Sequence, residues 1–239
     1  MSIRKNRGVG MKLKCISSGS VGNCYLLTNA SNQTLILDCG VSIKDIQRGL
    51  DYNIKDVAGV IISHAHGDHI RAAVDLKKLG IPVWKPFESV SKAVKMGEFT
   101  IRCFSLPHNG TPNYGFLIKV DGQKMLYMTD FEYCPMTFKK QNIDHMLIEC
   151  NYIKDMVDTD APNYTHKILG HCELATCKEF VKVNATDSLQ NVILCHLGID
   201  TSNADRMVTE ICEVAKNANV DVARAGVELQ LRAKDECPF

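Results

Sequence analysis

The sequence predicts an α/β fold of four layers, in which two mixed β-sheets pack face to face and helices cover their outer sides. Three observations predict it. Short apolar runs of strand length recur along the chain, bounded by Gly, Asn or Asp. Apolar residues at helical spacing lie between them. Finally, closely spaced strands dominate the beginning, whereas strands alternate with helices later, an order that suits two sheets sandwiched between helices.

The strand-like runs cover 11–16, 24–28, 34–37, 60–63, 99–106, 115–120, 124–129, 145–148 and 192–195. Val120-Asp121-Gly122-Gln123 reads as a tight hairpin turn between two of them. The first helix opens at Ser42, whose hydroxyl suits an N-cap, with Asp45 three residues on and Ile43, Ile46 and Leu50 forming its apolar side. A second follows from Ile70, Ala73, Val74 and Lys77, and a third from Leu174, Cys177, Phe180 and Val181. Met207, Val208, Ile211, Cys212 and Ala215 mark a fourth, opened by Asn203. No repeat of 20–50 residues and no low-complexity linker divides the chain. Residues 1–10 are expected to be an N-terminal extension and residues 11–239 a single domain.

Of the 239 residues, 45% are hydrophobic and 23% charged, with a net charge of +1. That balance fits a soluble globular protein and argues against a nucleic-acid binder relying on overall positive charge. No run approaches the ~18 apolar residues of a membrane span. The basic start, Met1 to Gly8, lacks the apolar stretch of a signal peptide. The eleven cysteines are scattered and form no C-x-x-C pair. They read as reduced core thiols of a cytoplasmic protein rather than a zinc ribbon or redox pair.

The chemistry concentrates in Ser63-His64-Ala65-His66-Gly67-Asp68-His69, between the end of an apolar strand and the start of a helical pattern. Three imidazoles and a carboxylate in one turn have no packing rationale. A turn aims successive side chains in different directions, so His64 and His66 can face one metal while Asp68 and His69 face a neighbour. Imidazole with carboxylate suits zinc, manganese or iron. Further donors end later apolar runs: His108 after 101–106, Asp130 after 125–129, and His196 after 192–195.

This order, H-x-H-x-D-H followed by His, Asp and His, resembles the metallo-β-lactamase superfamily. The resemblance implies its αββα sandwich and two divalent metal ions, zinc or manganese with iron as a third option. His64, His66 and His108 match the ligands of one ion; Asp68, His69 and His196 match those of the other, with Asp130 bridging. Asp38, in Leu35-Ile36-Leu37-Asp38-Cys39-Gly40, matches an Asp that orients the site by hydrogen bonds without ligating. Asp130 stands where antibiotic-hydrolysing members carry Cys, and His66 where the flavo-diiron branch carries Glu, so neither activity is expected. Segments along the chain narrow the resemblance. Ser17-Ser18-Gly19-Ser20-Val21-Gly22-Asn23-Cys24, Leu106-Pro107-His108-Asn109, Gly170-His171-Cys172-Glu173-Leu174-Ala175 and Leu194-Cys195-His196-Leu197 are similar to the YycJ/WalJ-type group of small nucleases of this fold. Cys172 and Gly198-Ile199-Asp200-Thr201 depart from that group's pattern.

The implied activity is hydrolysis of a phosphodiester, with single-stranded or end-exposed DNA as the expected substrate. The nucleophile is oriented by Asp68, and His171 binds phosphate or protonates the leaving oxygen. Ser20 and Asn23 are expected to contact substrate, because a flexible Gly-rich turn offers N–H groups and hydroxyls to phosphate oxygens. A cyclic-nucleotide or other small-molecule phosphodiesterase, a thioester or lactone hydrolase, and an idle metal-binding module remain alternatives. Asn151 and Tyr152 are candidate cleft residues. Phe131 and Tyr133 are candidates for stacking on a base, with core packing the preferred role. Trp84 reads as packing, the pairs Lys77-Lys78 and Lys139-Lys140 as solvated faces, and His145 and His166 as structural or exposed.

Overall fold

The computed structural model describes residues 10–162 and 164–231. The expected N-terminal extension, 1–10, therefore lies outside the described residues except for Gly10.

The first sheet is built from β1 (Lys12–Ser17), β2 (Cys24–Thr28), β3 (Thr34–Leu37), β4 (Val57–Ile61) and β5 (Val83–Trp84). The second takes β6 (Ala93–Met96), β7 (Phe99–Leu106), β8 (Asn113–Val120), β9 (Gln123–Met128), β10 (His145–Glu149), β11 (Asn191–Cys195) and β12 (Asn219–Val222). The last strand, β13 (Glu228–Gln230), returns to pair antiparallel with β1. The spatial orders are β13-β1-β2-β3-β4-β5 and β12-β11-β10-β9-β8-β7-β6. Each sheet has an antiparallel half made by hairpins and a parallel half made by crossovers, β3-β4-β5 in one and β9-β10-β11-β12 in the other.

Strand alternation explains why both faces of each sheet are apolar. From β9, Met125 and Tyr127 point into the layer between the sheets, whereas Leu126 and Met128 point outward. The inner layer brings Leu13, Tyr25, Leu35 and Leu37 against Phe99, Phe116, Leu147 and Ile193. Trp84 joins this layer edge-on to Phe116, as its packing role requires. Outside the first sheet lie α1 (Ile43–Gly49), α2 (Gly67–Ile70) and α3 (Ala73–Lys78), contributing Ile46 and Leu76. Outside the second lie α5 (Leu174–Asn184) and α6 (Ala204–Cys212), preceded by α4 (Tyr164–Gly170). Leu174, Cys177, Phe180, Met207 and Ile211 cover the outer face there. The expected four-layer αββα sandwich is the fold. Among the described residues no helix is long and apolar enough to cross a membrane.

Ser42 caps α1 as expected, its Oγ accepting from the Asp45 N–H. The single helix expected near Ile70 is instead two short ones. The carbonyls of Asp68 and His69 accept from Asn23 N–H and Cys39 N–H, and Ala72 N–H donates to the Cys39 carbonyl, so the helical ladder is diverted at that point. Gly40 makes this docking possible, since a Cβ there would lie 1.6 Å from the Asp68 carbonyl oxygen. The strands β5, β6, β12 and β13 and the helix α4 were not expected from the sequence.

Candidate metal centre

Both sheets end their strands at one edge of the sandwich, and the donors collect there. β9, β10 and β11 run parallel and level, with Ile148 opposite both Met128 and Leu194. Asp130, Glu149 and His196 therefore emerge side by side. Asp38, Asp130 and His196 have φ of 55°, 52° and 52°, the left-handed region that costs an L-residue about 1–3 kcal/mol. In each case the left-handed residue turns the chain sharply out of its strand. Asn113 holds the turn at Asp130, its Nδ2 donating to the carbonyls of Thr129 at 2.9 Å and Asp130 at 2.5 Å.

The expected ligands fall into two neighbouring groups. In the first, His64 Nε2 lies 3.0 Å from His66 Nδ1, and His108 Nε2 lies 3.4 Å from the same atom. In the second, Asp130 reaches His196 Nδ1 with Oδ1 at 2.5 Å and His69 Nε2 with Oδ2 at 3.4 Å. Asp130 Oδ2 is also 3.9 Å from His64 Nε2, which sets this carboxylate between the groups. Asp68 Oδ2 lies 3.4 Å from His69 Nε2, with about a quarter of the side chain exposed. All seven residues are thus brought together.

Hydrogen bonds behind the rings decide which nitrogens face inward. The Ser63 hydroxyl donates to Asp38 Oδ2 at 2.9 Å, so its oxygen is left to accept from His64 Nδ1 at 3.0 Å. His69 Nδ1 donates to Asp38 Oδ2 at 2.8 Å, and His108 Nδ1 donates to the Gly170 carbonyl at 2.7 Å. Each bond fixes the N–H at Nδ1 and leaves the lone pair of Nε2 aimed at the cluster. Asp38 takes two more donors, Ser63 N–H at 2.7 Å and the Tyr127 hydroxyl at 2.5 Å. It touches no other expected ligand directly besides His69, as an orienting residue should.

This donor set fits divalent cations. Lone-pair nitrogens 3.0–3.4 Å apart cannot all share protons, and buried carboxylates need opposite charge. Burial, with His69 and other imidazoles close by, drives His64 far toward its neutral form. Burial also opposes charge on His69, yet the carboxylates of Asp130 and Asp38 outweigh it and hold its proton affinity well above the ordinary imidazole range. Asp130 is held well below the carboxylate range by His196 and His69 despite its burial. Carboxylate charge is thus gathered beside imidazole nitrogens, an arrangement compatible with divalent cations.

Glu149 was not anticipated. It is fully buried at the end of β10, where its Oε1 accepts from His171 Nδ1 at 2.8 Å and lies 3.5 Å from His196 Nδ1. Its Oε2 accepts from Phe131 N–H at 3.0 Å and Cys172 N–H at 3.3 Å. The available signal was an acid closing the apolar run His145-Met146-Leu147-Ile148-Glu149. Burial lowers the proton affinity of His171, but Glu149 more than restores it and leaves it raised.

The residues expected to meet substrate separate. Ser20 is exposed and lines a recess of about 510 Å³ together with His171 and His196. Asn23 is buried: its Oδ1 accepts from Gly19 N–H, and its Nδ2 donates to the Gly19 carbonyl and lies 3.0 Å from His69 Nε2. Asn151 lines the recess and donates from Nδ2 to the His196 carbonyl at 2.7 Å. Phe131 is fully buried, and Tyr133 is about half exposed. His166 is exposed, with its ring centroid 5.6 Å from His171 and 6.2 Å from His108. His145 is buried and bonded to Gln123 and Asn191, far from the cluster in its contacts.

A double mixed sheet that gathers histidine and carboxylate at one strand edge defines a protein of metallo-β-lactamase fold. Residues 18–102 match the family model described as metallo-beta-lactamase superfamily. Over nearly its whole length it is similar to the exodeoxyribonuclease YycJ of Bacillus anthracis, with 22% identity across 91% of this chain and 94% of that protein. It is 23% identical to the exodeoxyribonuclease WalJ of Streptococcus pneumoniae across 96% of each. Among solved structures, the metallo-beta-lactamase fold protein YhfI from Bacillus subtilis superposes with a TM-score of 0.70 at 21% identity, covering 92% of this chain and 98% of that one.

Proposed function

We propose that the chain is a dinuclear metal-dependent phosphodiesterase acting on DNA as an exonuclease-like nuclease, working as one unit over residues 11–239 in the cytoplasm. The observation that carries this reading is the set of three Nε2 lone pairs fixed by bonds behind the rings, those of His64 and His69 facing Asp130 and that of His108 facing His66 Nδ1. His64, His66 and His108 would hold one divalent ion and Asp68, His69 and His196 the other, with Asp130 lying between the two groups. Zinc or manganese is the expected metal, and iron suits the same donors. Such ions, when bound, polarise the phosphoryl oxygens and lower the pKa of water from 15.7 toward about 7.

The chain's own residues do the rest. Asp68 accepts a hydrogen bond from the attacking water, aligns it with phosphorus and passes the proton that the water loses to solvent. The water oxygen forms the new P–O bond while the P–O bond to the neighbouring sugar breaks. His171 delivers its Nε2 proton to the departing sugar oxygen, and Glu149 holds the ring by Nδ1. Asp38 keeps His69 oriented. Ser20 offers its hydroxyl to the phosphate at the recess mouth, while Asn23 shapes the loop that presents it. The names of the full-length relatives support DNA as the substrate. The net charge of +1 favours a second reading, a small phosphodiester such as a cyclic nucleotide.

The test is turnover of bis-p-nitrophenyl phosphate with and without chelator, followed by end-labelled single-stranded DNA and cyclic nucleotides. Chelator-sensitive turnover of the ester with stepwise shortening of DNA is expected. Hydrolysis of cyclic nucleotides alone selects the second reading, and no turnover of any phosphodiester refutes both.

A further inference from the structure

The recess beside the metal centre is bounded by α4 and by the loop 197–201. Lys167, on α4, reaches into it half-buried. Its Nζ donates to Asn151 Oδ1 at 3.3 Å and Thr201 Oγ1 at 3.1 Å, both neutral acceptors. Among the described residues it forms no ion pair. The carboxylates of Glu149 and Asp200 act on its charge without forming a close ion pair with it, so the ammonium can still meet an anion that enters. The same Asn151 bonds to the His196 carbonyl, which links Lys167 to the metal centre through one side chain.

The rim has the opposite character. Ile199 is 83% exposed and Met156 39% exposed, and both line the recess. An isoleucine so exposed has no packing role, and at a cleft mouth it offers an apolar contact to a flat ligand. Asp158 and Asp200 stand on the same rim, exposed, where they repel further phosphates. The loop is preformed rather than loose. Gly198 N–H donates to the Asn151 carbonyl at 2.7 Å, Ile153 N–H donates to the Thr201 carbonyl at 2.8 Å, and a Cβ on Gly198 would lie 2.5 Å from Thr201 Oγ1.

We infer that this recess is a one-nucleotide subsite, in which Lys167 takes the phosphate, Ile199 and Met156 cover the base, and Asp158 and Asp200 bar a continuing strand. Its volume, about 510 Å³, lies within the range of pockets for ligands of this size. The inference rests on the phosphodiesterase reading above and deepens it: the substrate must offer a chain end, because only a terminal nucleotide fits.

Lys167→Ala, Lys167→Arg and Ile199→Ser test it, with deoxyadenosine 5′-monophosphate as the probe. Binding is measured calorimetrically on chelated protein, and inhibition and KM on metal-loaded protein with single-stranded DNA and bis-p-nitrophenyl phosphate. Lys167→Ala should weaken nucleotide binding at least about tenfold and raise KM for DNA similarly, far more than for the ester, which carries no nucleotide; Arg should restore much of the loss. Ile199→Ser, at a side chain 83% exposed, should weaken nucleotide binding about threefold. Unchanged nucleotide affinity in both Lys167→Ala and Ile199→Ser, or equal losses on DNA and ester, overturns the subsite. A wild-type protein that hydrolyses no phosphodiester refutes the function proposed above, while the calorimetric comparison still decides the recess.

Discussion

Glu149 accepts the Nδ1 proton of His171 at 2.8 Å and, with its other oxygen, two backbone N–H groups. A fully buried carboxylate so engaged cannot rotate away, so the imidazole it holds is fixed in ring plane and, with its proton affinity raised, carries a second proton on Nε2 for the recess. If this pair works as one proton-delivery unit, His171→Ala should lower kcat on DNA on the order of 10²–10⁴-fold. Glu149→Gln should lower it in the same direction, and the double variant should lose little beyond the larger single loss. Losses should shrink on a p-nitrophenyl ester, whose leaving group needs no proton. Steady-state kinetics on both substrates check this, and multiplicative losses in the double variant would separate the two residues.

Asp68 stands 3.4 Å from His69 Nε2 with part of its side chain open to solvent. Replacing it with Ala removes no core packing, so the melting temperature of the chelated protein should change little. Activity should nonetheless drop at least about a hundredfold even at saturating metal. Parallel melting curves and turnover at matched metal content test both halves of the statement.

Asp38 gathers Ser63, Tyr127 and His69 around one carboxylate. Asp38→Asn keeps the shape but presents a donor where three groups donate, so the His69 ring loses its anchor. Metal affinity at the site His69 serves should fall by about 10–100-fold. Competitive titration against a chromophoric chelator measures the change; wild-type affinity would show that Asp38 is dispensable for orientation.

His145 gives a prediction outside the metal centre. Its Nε2 donates to Gln123 Oε1, and its Nδ1 accepts from Asn191 Nδ2, a pattern that only the neutral ring can make. Burial pushes its pKa down to about 4 from an ordinary 6.5. The unfolded chain binds the proton first. The contribution is therefore complete above pH 6.5 and is lost as pH falls toward 4, by at most roughly 1.4 kcal/mol per pH unit. Urea unfolding of chelated protein between pH 7 and 4.5 should show a steeper decline for wild type than for His145→Gln.

The sandwich and its metal edge were legible because the same physics writes both. Apolar runs that must be buried end in donors that cannot be, so His64, His108, Asp130 and His196 stood out at strand ends. Glu149 obeys the same rule but does not stand out in the sequence, since an acid after an apolar run usually marks a surface turn. Its burial depends on Phe131 and Cys172 folding back from distant positions. The helix α4 follows Pro162 and carries Thr165, His166 and Lys167 without a clear apolar stripe, which hid the wall of the recess. The edge strands β12 and β13, Asn219–Val222 and Glu228–Gln230, are short and mixed in polarity, so only their pairing partners define them. Asn23 looked like a phosphate contact by its company of glycines, and only the folded loop shows its amide turned inward.

The central claim is that two ions share this edge, and anomalous diffraction from crystals grown with zinc or manganese tests it most directly. Two peaks per chain are predicted. One should be bounded by His64, His66 and His108, the other by Asp68, His69 and His196, with Asp130 between them. Peaks confined to other residues, or no ordered ion at this edge under saturating metal, would contradict the account.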